Sequence, residues 1–126
     1  MRITTAVAVV ALLSVAAASA QPGSPTLHVS DPTSISMLRS LDARIDALSK
    51  QAMICVEKKL APPDSCFCKY PAEVAALRKE YQAVVRTYPA WASRAVAWTD
   101  NSSGSLVGHT IAIAHLGPQL SKCAAK

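Results

Sequence analysis

Apolar side chains recur every three or four positions in two long segments, and this spacing predicts two amphipathic helices. In the first segment, which starts at Asp31–Pro32 and must end before Pro62–Pro63, the apolar stripe is Leu38, Leu41, Ile45, Leu48, Ala52 and Cys55. In the second, between Pro71 and Pro89, the stripe is Val74, Leu77, Tyr81, Val84 and Tyr88. Two such helices joined by a loop of about ten residues favour an antiparallel helical hairpin.

The last third of the chain changes to alternating spacing. Two runs flank the turn at 101–104, with Val96 and Trp98 before it and Val107, His109, Ile111 and Ile113 after it. The alternation favours a small β-hairpin over the helices, although Trp91, Ala95 and Trp98 also share one face of a helix. A short terminal helix through Leu116, Leu120 and Cys123 is weakened by Gly117–Pro118. The predicted class is mainly α, with a small C-terminal β-hairpin or short helix.

The first twenty residues have the parts of a secretory signal peptide. Arg2 supplies a positive start, an alanine-rich apolar run comes next, and Ala18-Ser19-Ala20 matches the small-residue cleavage pattern. We therefore expect residues 1–20 to be removed, with no stable membrane insertion afterwards, and the mature protein to be secreted or periplasmic. The alternative is an uncleaved membrane anchor, since the run is nearly long enough to span a bilayer.

Composition then bounds the mature chain beyond the signal peptide. Residues 21–31, rich in proline and serine, predict a flexible mature N-terminus, and residues 32–126 predict a single small helical domain. The net charge of +5 for the whole chain falls to +4 without Arg2, which is compatible with an anionic partner but does not require one. No basic stripe with interleaved aromatic residues is present, so nucleic-acid binding is not expected.

The chain has four cysteines, and in an exported small domain an even number predicts a disulfide framework. Cys66 and Cys68 stand too close together to join without strain. Cys55 therefore pairs with one of them and Cys123 with the other, which leaves two patterns open. We slightly favour Cys55–Cys66 with Cys68–Cys123, because the shorter loop closes first. Two disulfides would then cross-link the fold.

The C-x-C motif also allows a thiol protein or a soft-metal site for Cu or Zn. His28, His109 and His115 could add ligands, but none has the spacing of a known zinc or redox motif. We expect no bound metal and no cofactor.

Catalytic constellations are weakly indicated. His109 could join Asp100 and a serine at 102, 103 or 105 in a hydrolytic triad, but no G-x-S-x-G elbow surrounds these serines. Asp42 and Asp46 lie one turn apart on the polar face of the first helix, where we expect solvent to surround them. These patterns predict no enzymatic activity.

Three aromatic residues, Tyr88, Trp91 and Trp98, are either core or a contact surface. Such residues most often cover the core of a small domain, and when exposed they anchor partners. The sequence therefore favours a non-catalytic exported protein that binds an envelope or secreted partner, either an unknown protein or a surface ligand. The alternatives are a thiol or soft-metal protein built on the C-x-C motif and, less favoured, a small hydrolase using His109.

Overall fold

The computed structural model describes residues 25–101 and 104–124. The predicted signal peptide, residues 1–20, lies outside the described residues. Within the described part the α-helices are α1 (Pro32–Glu57), α2 (Pro71–Thr87) and α3 (Ile113–Ala124), and short 3-10 helices span Pro63–Ser65, Phe67–Lys69 and Pro89–Ser93. The strands are β1 (Leu27–His28), β2 (Ala95–Asp100) and β3 (Val107–Ala112), which form one sheet in the order β1-β2-β3. A mainly helical protein with two disulfides is confirmed.

Helix α1 begins at a side-chain cap. The Asp31 carboxylate accepts a hydrogen bond from the backbone N–H of Ser34 at 2.9 Å. Pro32 occupies the start of the helix, where the missing N–H has no intrahelical partner to lose. The hydrogen bonds from the backbone and then from the side chain of Ser34 lower the pKa of Asp31 below its ordinary value of 3.8. The cap therefore acts through the ionised carboxylate.

Replacing Asp31 with alanine should lower the free energy of unfolding at neutral pH. Because the folded-state pKa of Asp31 is lowered, its contribution is present above the unfolded-state pKa and is lost as the pH falls through the folded-state value. Denaturant unfolding of wild type and variant should therefore differ most at neutral pH, and the difference should shrink below pH 3.8. A difference that stays constant in acid would contradict this role for the carboxylate.

Helices α1 and α2 contact each other along the predicted apolar stripes. Leu38, Leu41 and Leu48 from α1 are completely buried, as are Leu77 and Val84 from α2. Leucine is a strong helix former and loses little rotamer freedom in a helix, so the residues that build the core also favour the helices. The two stripes form the centre of the core.

The sheet combines a predicted and an unpredicted strand. Strands β2 and β3 pair antiparallel, with Trp98 opposite His109, which gives the β-hairpin that the alternation favoured. Strand β1 pairs parallel with β2, and the N–H of Val29 donates to the C=O of Ala97 at 3.0 Å. Segment 21–31, predicted to be flexible, is therefore held to the sheet in its described part, and the guanidinium of Arg94 also donates to the C=O of Pro25 at 3.0 Å.

The described part of the chain ends in helix α3, so the structure contains both the strand pair and the terminal helix that the sequence offered as alternatives. The helix continues through Pro118. A Cβ at Gly117 would lie 2.5 Å from the hydroxyl oxygen of Tyr81, so a larger residue there would force the tyrosine side chain to move. Arg78 of α2 donates a 2.9 Å hydrogen bond to the C=O of Leu120. Gly117 thus lets α3 approach α2.

Candidate binding site

Both cysteines of the C-x-C motif form disulfides, Cys55–Cys66 and Cys68–Cys123. Of the two patterns left open by the sequence, this is the one slightly favoured. Cys66 ties the loop between α1 and α2 back to α1, and Cys68 ties the same loop to α3. Since every cysteine is paired, none presents a thiolate for metal binding or exchange, and the described residues contain no group of three or more side chains arranged to hold a metal ion.

Phe67 stands between the two disulfide cysteines and forms one wall of an apolar groove. We call this surface the Phe67 groove; its volume is about 280 Å³, and it is lined by Ala52, Met53, Val56, Glu57, Pro63, Cys66 and Phe67. The last turns of α1 supply one wall and the loop supplies the other. Phe67 is half-buried and packs against the core, so the ring is supported from below and held by covalent cross-links on both sides.

The end of α1 beside this groove exposes an unusual amount of apolar surface. Among the described residues, six large apolar side chains are exposed, and four of them fall between positions 53 and 60: Met53, Ile54, Val56 and Leu60. Met53, in the last turns of α1, is 63% exposed. Clustered exposure of this kind marks interaction sites more often than isolated apolar residues do. The groove and the apolar side chains around it form the candidate binding site.

Lysine and acidic side chains are present in the segments that form the walls of the Phe67 groove. The exposed positive residues are Lys58, Lys59 and Lys69, and the exposed negative residues are Glu57 and Asp64. Of the described residues that line the groove, Glu57 is the one that ionises. The walls are therefore apolar, and the surrounding segments are more positive than negative.

The predicted contact residues Tyr88, Trp91 and Trp98 lie in a different part of the molecule. Trp91 and Trp98 are 4% and 3% exposed and belong to the core. Tyr88 stacks on Trp91 with ring centroids 4.0 Å apart, and its hydroxyl accepts a 3.1 Å hydrogen bond from the buried hydroxyl of Ser34. Both tryptophan rings are almost completely buried, so they cover the core and do not form an exposed aromatic surface.

A second cleft, between α1 and the hairpin, is lined by several residues that are far apart in the sequence. It has a volume of about 370 Å³, and its lining includes Arg39, Asp42, Ile45, Asp46, Trp98, Asp100 and His109. Arg39 forms an ion pair with Asp100 at 2.9 Å, and His109 stacks on Trp98 with centroids 5.0 Å apart. Asp42 and Asp46, predicted to face solvent, both line this cleft, where Asp46 is exposed and Asp42 is partly buried.

The hydrolytic alternative is only partly assembled in this cleft. His109 and Asp100 both line it, whereas Ser105 is exposed in the turn and is not part of the lining. Ser102 and Ser103 lie outside the described residues. The other two histidines, His28 and His115, are exposed on β1 and α3. A different serine, Ser49 of α1, lines the cleft together with His109 and Asp100; it is not one of the three serines that the sequence suggested.

Sequence reasoning missed the Phe67 groove, although a signal for it was present. In the run "AMICV", residues 52–56, the buried stripe uses Ala52 and Cys55, which leaves Met53, Ile54 and Val56 off the stripe. Three large apolar residues on the supposed polar face of a helix indicate a second apolar surface.

Comparisons with known proteins add no family to this description. No protein-family model, curated protein or solved structure matches the chain. Among the described residues, none of the helices has the length and apolar character needed to cross a bilayer. The disulfides are consistent with an oxidising, extracellular location.

Proposed function

We propose that this is a non-catalytic exported protein that binds a secreted or envelope protein through the Phe67 groove. The supporting observation is the clustering of exposed Met53, Ile54, Val56 and Leu60 beside a groove whose loop wall is fastened by two disulfides. The two disulfides favour binding because a loop that is ordered beforehand loses less conformational entropy when the partner binds. The C-x-C motif then has a function of its own, which is to hold Phe67 in place as a binding surface.

The size and charge of the site define the partner. A groove of about 280 Å³ lies just below the roughly 300–1,000 Å³ of clefts that enclose drug-sized molecules, so it suits one or two apolar side chains of a protein segment. Lys58, Lys59 and Lys69 favour acidic residues on either side of that anchor. The occupant is therefore a protein segment that presents a large apolar side chain between acidic ones.

Random peptides displayed on phage and selected against the oxidised protein test this proposal. Enriched peptides should share a large apolar residue flanked by Asp or Glu. Met53→Ser should weaken the binding of a selected peptide by about thirtyfold, a hot-spot loss of about 2 kcal/mol, measured by titration calorimetry. The same substitution should leave stability within about 0.5 kcal/mol, because the side chain is 63% exposed.

Leu106→Ser is the matched control, since Leu106 is 75% exposed but belongs to the hairpin turn. It should leave peptide binding unchanged. Phe67→Ala, checked for folding by circular dichroism, should abolish binding by removing a wall of the groove. Equal effects of Met53→Ser and Leu106→Ser would contradict the assignment of the site, as would selected peptides that bind without any dependence on Phe67.

A further inference from the structure

The outer edge of strand β3 has backbone groups without partners in the part of the chain that the structure describes. The C=O of Ala97 accepts from Val29, so the backbone of Ala97 faces β1. Backbone groups of successive strand residues point to opposite sides, so Trp98 faces β3, where it pairs with His109. The N–H and C=O of the next residue along β3, Thr110, then point away from the sheet. Thr110 is exposed, and the edge is open to another strand.

This open edge adjoins the cleft between α1 and the hairpin. The cleft of about 370 Å³ shares Asp42 and Ile45 with a neighbouring hollow of about 220 Å³, whose lining includes Thr110 and Ala112 of β3. Together they form a continuous surface, which we call the strand-edge cleft. A strand added beside β3 would lie over this surface, with alternate side chains directed toward α1.

The strand-edge cleft is acidic on a chain whose net charge is +5. Three aspartates, Asp42, Asp46 and Asp100, line it, together with one arginine, Arg39. Arg39 is already paired with Asp100, and the Lys50–Asp46 pair at 2.9 Å is exposed and so contributes little. The carboxylate of Asp42 has no hydrogen bond or ion pair with a described residue, although Asp42 lines both hollows.

Trp98 supplies an independent indication of a site. Its side chain is 3% exposed and lines the cleft, yet its indole N–H has no acceptor among the described residues. A buried donor without a partner lowers the stability of the folded protein. Buried donors are rarely left without a partner in native proteins, and here the donor belongs to a residue that lines the cleft.

We propose that the strand-edge cleft binds an extended basic peptide segment, which pairs with β3 as a fourth strand and sets two of its cationic side chains against Asp42 and Asp46. The open edge of β3 would form backbone hydrogen bonds with the peptide, and the carboxylates would select peptides with basic side chains. Asp42 and Asp46 stand about 6 Å apart along the helix axis, and alternate side chains of a strand are about 6.6 Å apart. A Lys-x-Lys or Arg-x-Arg spacing therefore fits the two carboxylates.

The test uses a nine-residue peptide that alternates lysine with valine, and two versions of it with methylated backbone nitrogens. One version is methylated at every lysine and the other at every valine, so each has one blocked edge. Titration calorimetry at low salt should show that one version binds like the unmodified peptide and that the other does not bind. The peptide with glutamate in place of lysine should also fail to bind.

Variants of the protein locate the contact. Asp42→Asn with Asp46→Asn should weaken the lysine peptide about tenfold, as expected for two exposed ion pairs, whereas Asp64→Asn, in the loop, should not. Equal binding of the two methylated peptides would overturn strand addition, and binding unaffected by the double variant would overturn the cleft as the site. A doubled mass in light scattering without peptide, abolished by Thr110→Pro, would make a second copy of this chain the occupant and overturn the proposal.

Discussion

Replacing Cys68 and Cys123 together with alanine should lower the free energy of unfolding by about 4 kcal/mol. The disulfide spans 55 residues, and in the chain-entropy model a cross-link restricts the unfolded chain more as the enclosed loop grows. A small domain is stable by only about 5–15 kcal/mol in total. Urea unfolding of the double variant should therefore show a midpoint far below that of the wild type, or no folded baseline at 37 °C.

The other disulfide provides the matched comparison. Cys55–Cys66 spans 11 residues, for which the same model gives about 2.8 kcal/mol. The double alanine variant of this pair should therefore remain more stable than the variant without Cys68–Cys123. The reverse order, or no measurable loss from either variant, would contradict the description of the loop as covalently fastened to the core at two points.

Replacing Trp91 with alanine should lower the free energy of unfolding by about 3–5 kcal/mol. The side chain is 4% exposed, belongs to the main core cluster and stacks on Tyr88. Removing it deletes the buried area of the ring and leaves a cavity that its neighbours only partly fill. Urea unfolding with circular dichroism as the probe gives the loss directly.

Leu106→Ala is the control for this prediction, because Leu106 is 75% exposed. Its effect on stability should stay within about 0.5 kcal/mol. If Trp91→Ala changed stability as little as Leu106→Ala does, the ring would have to be accessible, and the aromatic residues would again be candidates for partner contact.

The helices were the part of the fold that the sequence predicted best. Their boundaries depend on local chemistry: Asp31 caps α1, Pro32 and Pro71 begin α1 and α2, and Pro89 follows the end of α2. The stripe that contains Leu38 and Leu48 is buried as its spacing indicated. Such features involve residues close in sequence, so a single chain is enough to read them.

Non-local pairing was the part that the sequence could not supply. Strand β1 is only two residues long, and its partner Val96 lies in the last third of the chain. Nothing in the local composition of Leu27 and His28 distinguishes them from a flexible segment. The same limit applies to Asp42 and Asp46, whose surroundings depend on where the hairpin packs against α1.

The Phe67 groove could not be predicted from the sequence for a different reason. Met53, Ile54 and Val56 were visible as apolar residues off the buried stripe, but their meaning depends on the loop that covers one side of them. That loop is positioned by Cys66 and Cys68, whose partners the sequence narrowed to two patterns. With the pairing known, Phe67 falls beside the exposed end of α1, and the "CFC" motif becomes part of a binding surface.

Both sulfurs of the C-x-C motif are in disulfides that hold Phe67 at the groove, and the proposed function depends on that arrangement. Mass spectrometry of the unreduced protein is the decisive test. We expect a mass lower by four hydrogens than that of the reduced chain, and proteolytic fragments linked as Cys55–Cys66 and Cys68–Cys123. Free thiols at Cys66 or Cys68, or a retained metal ion, would contradict it.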